Sequence, residues 1–192
     1  YRVNDDMRLI GASRWLLSQE RAAVSCVARV STASPLLAAR FADHPNVTLD
    51  PMGIPTAMLQ ASSPNPFIKY HARHVVCAGS SQIDLPAILS LGEQHPDWRL
   101  HIFGRIAQAP PQKPNIIWHG ETAFADMLPY VAHADLALAA FKNRPGIEYQ
   151  AGHSNRILLY RHFGLPILAP PRLAAGDPAL FDYTKPAACA AA

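Results

Sequence analysis

The fold is decided by residues 74–81, which read HVVCAGSS. The first five of these residues form a short apolar run, typical of a strand buried in a parallel sheet. Gly79 and the two serines after it form a small-residue turn, and a helix is predicted over 85–94. A strand, a turn and a helix in this order are the repeating unit of parallel α/β folds.

The same unit recurs toward the C terminus. We predict helices over 124–132 and 154–163, the second ended by Gly164 and Pro166, because glycine can adopt a positive φ and proline cannot continue a helix. Further strands are predicted at 99–103, 115–118, 136–139 and, as the last strand of the chain, 167–169. At least five strand–helix alternations in about 100 residues predict a doubly wound, Rossmann-like parallel sheet.

The first 54 residues show a shorter version of this pattern. We predict a helix over 11–23, strands over 26–30 and 47–49, and a helix that begins at Ser34-Pro35. The polar, proline-bearing stretch that follows is typical of a linker. We therefore predict an α/β chain with four parts: the end of a second Rossmann-like domain at 1–54, an interdomain linker at 55–73, a ligand-binding domain at 74–186 and a low-complexity tail at 187–192.

Composition and charge exclude several classes of protein. The chain is 49% apolar and 16% charged, which allows a sizeable core and argues against disorder. The net charge of +3 suits the binding of small anions but is too small for a nucleic-acid-binding surface, so we predict no nucleic-acid partner. No apolar run approaches the ~20 residues that a membrane-spanning helix needs.

The cysteines indicate the cellular compartment. Cys26, Cys77 and Cys189 are odd in number and far apart, and the first two fall in apolar runs predicted as strands. This pattern favours a reduced, cytosolic compartment and offers no zinc-binding spacing.

The chain starts at Tyr1 in a strand-like run, so we interpret it as an internal part of a longer protein.

Ligands of an open parallel sheet bind beyond the carboxyl ends of its strands, and Gly79-Ser80-Ser81 lies in such a place. Its glycine permits close approach of the backbone, and its N–H groups and hydroxyls can meet phosphate. An ordinary strand-to-helix connection explains this motif equally well.

Two other strand ends carry candidate residues. Gly104-Arg105 follows the strand at 99–103, and Glu121 follows the strand at 115–118. Glu121 can accept hydrogen bonds from a ribose or a uracil edge, or can simply cap the next helix.

A second candidate anion site is His153-Ser154-Asn155-Arg156, at the start of a predicted helix. Helix N termini attract anions, and Arg156 adds a forked donor that suits a diphosphate. A solvated arginine beside a serine cap is the alternative. Asp5-Asp6 can form a paired acid/base site or provide a favourable charge before a helix. His101 and the other scattered histidines are expected to serve packing or solvation.

Several short segments occur in an order and at a spacing that match a known family. They are residues 1–5, Ser34-Pro35, Asn46-Val47, Gly53, Ala78-Gly79-Ser80, His119-Gly120-Glu121 and the run LLYRHFGLP at 158–166. Through them the chain resembles GT-B glycosyltransferases over nearly its whole length, most closely the GumK-like glucuronosyltransferases of xanthan assembly. The last segment is the most specific, because it joins a phosphate-side helix to the turn and strand that follow.

The resemblance implies an inverting glycosyltransferase that needs no metal and no cofactor. It implies a UDP-sugar donor, UDP-glucuronate, and a lipid-pyrophosphate-linked oligosaccharide acceptor in exopolysaccharide assembly. It also implies a cytoplasmic protein bound peripherally at the inner face of the cell membrane. Residues 74–186 become the sugar-nucleotide-binding domain and 1–54 the end of the acceptor-binding domain. Since most of that acceptor domain would lie outside this chain, we expect the chain alone to be inactive.

The resemblance also assigns individual residues. Asp5 falls at the general base, which takes the proton from the acceptor hydroxyl. Contacts with the nucleotide sugar fall on Gly79, Ser80, Ser81, Glu121, Phe141, Ser154, Asn155, Arg156 and Leu159.

This chain departs from the family's pattern in ways that leave the donor sugar open. Arg156 stands where the family has a phosphate-binding lysine, so the charge is kept. Other departures are Phe141 for a tyrosine, Ser81 and Asn155 for methionines, and Leu159 for a glutamine. The Glu-x7-Glu signature of many retaining relatives is absent, because Glu148 is followed eight residues later by Arg156.

Two other functions fit the same fold. One is a sugar-nucleotide epimerase, and the other is a non-catalytic module that binds nucleotide sugars. A receiver-like domain is disfavoured, because Gly79-Ser80-Ser81, rather than a cluster of acidic residues, follows the strand at 74–78.

Overall fold

A computed structural model describes residues 1–59, 64–67, 72–79, 81–106 and 110–185 of the chain. Ser80, parts of the predicted linker and the predicted tail at 187–192 lie outside the described residues. The four-part division of the chain stays a prediction. In the described residues, no helix combines the length and the apolar character that crossing a membrane requires.

The N-terminal residues form a three-stranded parallel sheet. Its strands are β1 (Arg2–Val3), β2 (Val30–Thr32) and β3 (Val47–Leu49), in that spatial order. Helices α1 (Arg14–Cys26) and α2 (Pro35–Ala39) connect them. Ser34 caps α2 by accepting a hydrogen bond from the Leu37 backbone, as the Ser34-Pro35 motif predicts.

The remaining strands form a six-stranded sheet in which every pairing is parallel. They are β4 (Arg73–Ala78), β5 (Trp98–Phe103), β6 (Ile116–Gly120), β7 (Leu136–Leu138), β8 (Ile167–Ala169) and β9 (Leu180–Asp182). The connecting helices are α3 (Leu85–Gln94), α4 (Phe124–Ala132), α5 (Asn155–His162) and α6 (Pro171–Ala175). Two 3₁₀ helices occupy Thr56–Met58 and Ile147–Gln150.

The strand order β6-β5-β4-β7-β8-β9 confirms the Rossmann-like prediction. The chain runs outward from β4 to β6 and then crosses back to β7, so the order reverses between β4 and β7. Such a switch point is where open α/β sheets bind ligands.

Strand β4 is buried on both faces, which explains the apolar run in the sequence. Val76 and Ala78 belong to the core on one face of the sheet, whereas Val75 and Cys77 belong to the core on the other. Side chains of a strand alternate between faces, so a strand covered by helices on both sides must be apolar at every position.

Two predictions from the sequence are wrong. The strand expected over 26–30 begins only at Val30, because α1 starts at its Ser13 cap and continues to Cys26. Cys26 is therefore exposed at a helix end rather than in a strand, whereas Cys77 lies in a buried strand. The strand at 167–169 is not the last, since β9 pairs with it along the sheet edge. The three residues of β9 carry too little periodic signal to be recognised locally.

Candidate functional site

A cavity of about 680 Å³ lies where the carboxyl ends of both sheets meet. The three-stranded sheet contributes Asn4 and Asp5, which follow β1, and Met52 and Gly53, which follow β3. The six-stranded sheet contributes the residues that follow β4, β5, β6 and β7. The cavity therefore lies at the switch point and has a wall from each sheet.

The structure brings all of the predicted site residues that it describes to this one cavity. They are Asp5, Gly79, Ser81, Glu121, Phe141, Ser154, Asn155, Arg156 and Leu159. Ser80 lies outside the described residues. Their separate roles in binding and catalysis stay predictions.

Arg156 is a buried charged residue of the cavity wall. Its side chain lies on the first turn of α5, and the residue is only 7% exposed. Nη2 donates to the Ser81 carbonyl at 3.3 Å, and the guanidinium carbon lies 4.5 Å from the centre of the Phe141 ring. Nη1 is buried and has no hydrogen-bond partner among the described residues. The guanidinium is thus held on one side, and its Nη1 donor is not used by any described residue.

Gly79 makes room for this arginine. Its φ is +93°, a conformation that residues with a side chain rarely adopt. A Cβ at this position would lie 3.2 Å from Nη2 of Arg156. The glycine that ends β4 therefore lets the guanidinium pack against the strand end, which is a more specific reason for a glycine than an ordinary turn.

Helix α5 is fixed against the switch point by Tyr160. The Tyr160 hydroxyl accepts a hydrogen bond from the Ala78 backbone N–H at 2.7 Å and donates to the Leu138 carbonyl at 3.3 Å. It therefore joins the ends of β4 and β7 to the helix that carries Arg156. Ser154 occupies the N-cap position, but its hydroxyl caps no backbone group of α5. The alternative of an ordinary serine cap does not describe this helix start.

Asp5 lies on the opposite wall and is held from the six-stranded side. Its Oδ1 accepts a hydrogen bond from the Tyr149 hydroxyl at 2.9 Å and from Nε2 of Gln150 at 3.5 Å. Both donors lie on the 3₁₀ helix Ile147–Gln150. Burial, reinforced by the negative charge of Asp5, raises the pKa of Tyr149, so the phenol stays a donor at neutral pH.

The neighbouring Asp6 does not form a paired acid/base site with Asp5. Its carboxylate accepts from Arg8 at 2.6 Å and pairs with Arg40 at 3.2 Å, and it does not line the cavity. Arg40 in turn pairs with the buried Glu20 at 3.0 Å. Asp6 therefore anchors the loop after β1, and of these two neighbouring carboxylates it is Asp5 that lines the cavity.

Glu121, Gly104 and Arg105 line the end of the cavity formed by β5 and β6. Gly104 donates from its backbone to the Gly120 carbonyl at 2.7 Å, which keeps these two strand ends together. Glu121 is exposed, and α4 has Ala123 at its N-cap position with no side-chain cap. Glu121 therefore does not cap this helix, and its carboxylate is available at the rim.

Reasoning from the sequence did not find Tyr149 and Gln150. They bind a residue that is 144 and 145 positions away in the chain, and no local pattern marks them. The position of the predicted residues, by contrast, follows from the rule that parallel strands end at the same edge.

No protein-family model matches the chain. The chain is 25% identical over 185 residues to a protein of Xanthomonas campestris pv. campestris named UDP-glucuronate:glycolipid 2-beta-glucuronosyltransferase. The alignment covers 96% of this chain and 46% of the relative, so the chain spans about half the relative's length. This similarity confirms the resemblance to a glucuronosyltransferase that the sequence predicts.

Proposed function

We propose that the protein is a glycosyltransferase of the GT-B fold. Residues 74–186 form its sugar-nucleotide-binding domain, and residues 1–54 form the end of its acceptor-binding domain. The observation that carries this proposal is Arg156, a buried residue at a helix N terminus that lines the cavity at the switch point and whose Nη1 has no partner among the described residues. The relative's name supports UDP-glucuronate as the donor and a glycolipid as the acceptor.

The donor's diphosphate binds at Arg156 and the N terminus of α5. Arginine presents two donors in a fork that matches phosphate oxygens, and the helix terminus contributes a further favourable ~0.3–1 kcal/mol. Gly79 leaves room at this site, but its N–H donates to the Phe103 carbonyl, so the backbone N–H that we propose for a phosphate oxygen is that of Ser81. Glu121 accepts hydrogen bonds from the ribose or the uracil at the other end of the cavity. In this arrangement Arg156 and the N terminus of α5 balance the negative charge of the diphosphate. We therefore propose that the transfer needs neither a metal nor a cofactor.

Asp5 is the general base of an inverting transfer. The acceptor hydroxyl loses its proton to Asp5 while its oxygen attacks the anomeric carbon. The bond from that carbon to the diphosphate oxygen breaks, and UDP leaves with the bonding electrons. Arg156 stabilises the charge that develops on UDP. The described hydrogen bonds to Asp5 all end on Oδ1, so Oδ2 is the oxygen that we propose receives the proton.

The acceptor is a lipid-pyrophosphate-linked oligosaccharide of exopolysaccharide assembly. We propose that the protein meets it as a cytoplasmic, peripheral protein at the inner face of the cell membrane. The resemblance to GumK-like enzymes and the word glycolipid in the relative's name support this choice. Met52, Ile54 and Met58 add apolar side chains to the lining of the cavity.

The test measures UDP release from UDP-glucuronate by the intact protein, with and without lipid-linked oligosaccharide. The proposal predicts release that depends on the acceptor. Asp5→Asn lowers this rate by about 10²–10⁴-fold, the usual contribution of a general base, and leaves UDP binding intact. Asp43→Asn, which changes an exposed carboxylate of the same part of the chain, has no effect.

Other results separate the alternatives. Conversion of the UDP-sugar into an isomer without acceptor would identify an epimerase. UDP binding without any turnover of the intact protein would identify a binding module. A fully active Asp5→Asn variant would contradict the assignment of the base.

A further inference from the structure

His153 is a buried side chain on the cavity wall whose hydrogen-bonding groups are unused. The residue is 4% exposed and lines the cavity. Neither Nδ1 nor Nε2 has a hydrogen-bond partner among the described residues. An imidazole always carries at least one N–H, and a buried polar group without a partner costs about 1–3 kcal/mol. The ring therefore needs a partner from outside the described residues, either a water or a group of a ligand in the cavity.

The ring is held in a fixed position, as a ligand-binding group should be. It stacks on Tyr149 with 5.0 Å between the ring centres and an angle of 24° between the planes. Tyr149 is itself buried in the core of the three-stranded sheet and bonded to Asp5. A movement of His153 away from the cavity would break its stack on the residue that holds Asp5.

The position of His153 places it beside the part of the donor that is transferred. It precedes Arg156, the proposed diphosphate ligand, by three residues, and its ring contacts the tyrosine that binds Asp5. The anomeric carbon must lie between the diphosphate that it leaves and the acceptor oxygen beside Asp5. A group that adjoins both sites therefore faces the sugar rather than the nucleoside.

The charge state of His153 selects the chemistry that it can recognise. Burial lowers the pKa of His153 to about 4, although the charge of Asp5 opposes this shift. At neutral pH the ring is uncharged and offers one donor and one acceptor. A hydroxyl group, which also donates and accepts, is the complementary partner of such a ring. A carboxylate accepts but does not donate, so it could use only the N–H of the ring and would leave the other nitrogen without a partner.

We propose that His153 determines donor specificity by hydrogen-bonding a hydroxyl group of the sugar carried by UDP. This inference rests on the proposed function. It assigns His153 to the sugar, whereas Arg156 serves the diphosphate that every UDP-sugar shares.

The test compares the Kd values of UDP and UDP-glucuronate in the wild type, His153→Phe and His153→Asn. Phenylalanine keeps the stacking on Tyr149 but loses both polar atoms, and asparagine keeps one donor and one acceptor. We expect His153→Phe to bind UDP within about twofold of the wild type and to weaken UDP-glucuronate about tenfold or more, the loss of one hydrogen bond at roughly 1.4 kcal/mol. His153→Asn should recover part of this loss.

The melting temperature without ligand distinguishes a ligand-binding histidine from one that stabilises the fold. Removing an unpaired buried polar group leaves stability unchanged or raises it, so His153→Phe should melt no lower than the wild type. An unchanged ratio of the two Kd values in His153→Phe would overturn the inference while leaving the proposed function intact. A wild type that binds no UDP would overturn both.

Discussion

The Tyr149 hydroxyl donates a 2.9 Å hydrogen bond to Oδ1 of Asp5 across 144 residues of sequence. The two residues come from segments that belong to different sheets, since Asp5 follows β1 of the three-stranded sheet and Tyr149 lies on a 3₁₀ helix after β7 of the six-stranded sheet. The Tyr149 ring also packs in the core of the three-stranded sheet. The proposed base is therefore oriented by a residue from the side that binds the donor, which couples the two halves of the site.

We predict that Tyr149→Phe impairs catalysis more than donor binding. The variant keeps the ring in its core and its stack on His153 but removes the hydrogen bond that orients Asp5. Because a hydrogen bond to a charged group contributes about 1.5–3 kcal/mol, kcat should fall roughly 10–100-fold, with the Kd of UDP unchanged. Steady-state kinetics and UDP titration measure the two effects. An unchanged kcat would show that Asp5 needs no support from Tyr149.

Gly79→Ala should weaken UDP binding and lower stability. The substitution forces a side chain into a conformation with φ of +93° and places a Cβ 3.2 Å from Nη2 of Arg156. We expect a loss of stability of about 1–2 kcal/mol and a displaced guanidinium. Gly152→Ala is the matched control, because its φ is not positive and its Cβ would meet nothing within 4 Å. Equal UDP affinities of the two variants would contradict the role given to Gly79.

We predict that acid destabilises the folded protein through three histidines that lie side by side on the neighbouring strands β4, β5 and β6. His101 Nε2 lies 3.1 Å from His74 Nδ1, and His101 Nδ1 lies 3.1 Å from His119 Nε2. Burial, followed by the charges of His119 and His74, lowers the pKa of His101 to about 3. The folded protein thus keeps His101 neutral where an unfolded chain, with a histidine pKa of about 6.5, binds a proton.

The free energy of unfolding should therefore fall as the pH is lowered. The contribution of His101 is fully present above pH ~6.5 and is lost as the pH falls from there toward ~3, because the unfolded state binds more protons in this window. One extra bound proton corresponds to about 1.4 kcal/mol per pH unit. Urea unfolding at several pH values should show a shallower decline for His101→Gln than for the wild type. Parallel curves would assign the acid sensitivity to other groups.

The features that were predictable from the sequence are those with local causes. Helices over 85–94 and 124–132 match α3 and α4, because apolar periodicity and flanking breakers act within one helix. The gathering of Gly79, Glu121 and Arg156 at one cavity follows from the geometry of parallel strands. Edge strand β9 did not follow, since its pairing with β8 is a tertiary contact and its three residues have no periodicity.

The contacts of Tyr149 and His153 could not be predicted from the sequence, for a related reason. Nothing near Tyr149 in the sequence indicates that it reaches Asp5. Nothing near His153 indicates that its two ring nitrogens find no partner in the described parts of the chain. The end of α1 shows the same limit at smaller scale. Residues 26–30 are apolar enough for a strand, but the helix that starts at Ser13 continues to Cys26.

The most direct test of the account is the thermal stabilisation of the protein by UDP. At 100 times its Kd a ligand adds about 2.7 kcal/mol of stability, which for a domain of this size raises Tm by roughly 5–10 °C. We predict this rise for the wild type and for Arg172→Ala, which removes an exposed arginine that does not line the cavity. Arg156→Lys should retain part of it, and Arg156→Ala should show none. A wild type that UDP does not stabilise, or an Arg156→Ala variant stabilised as much as the wild type, would contradict the assignment of this cavity as a UDP-sugar site.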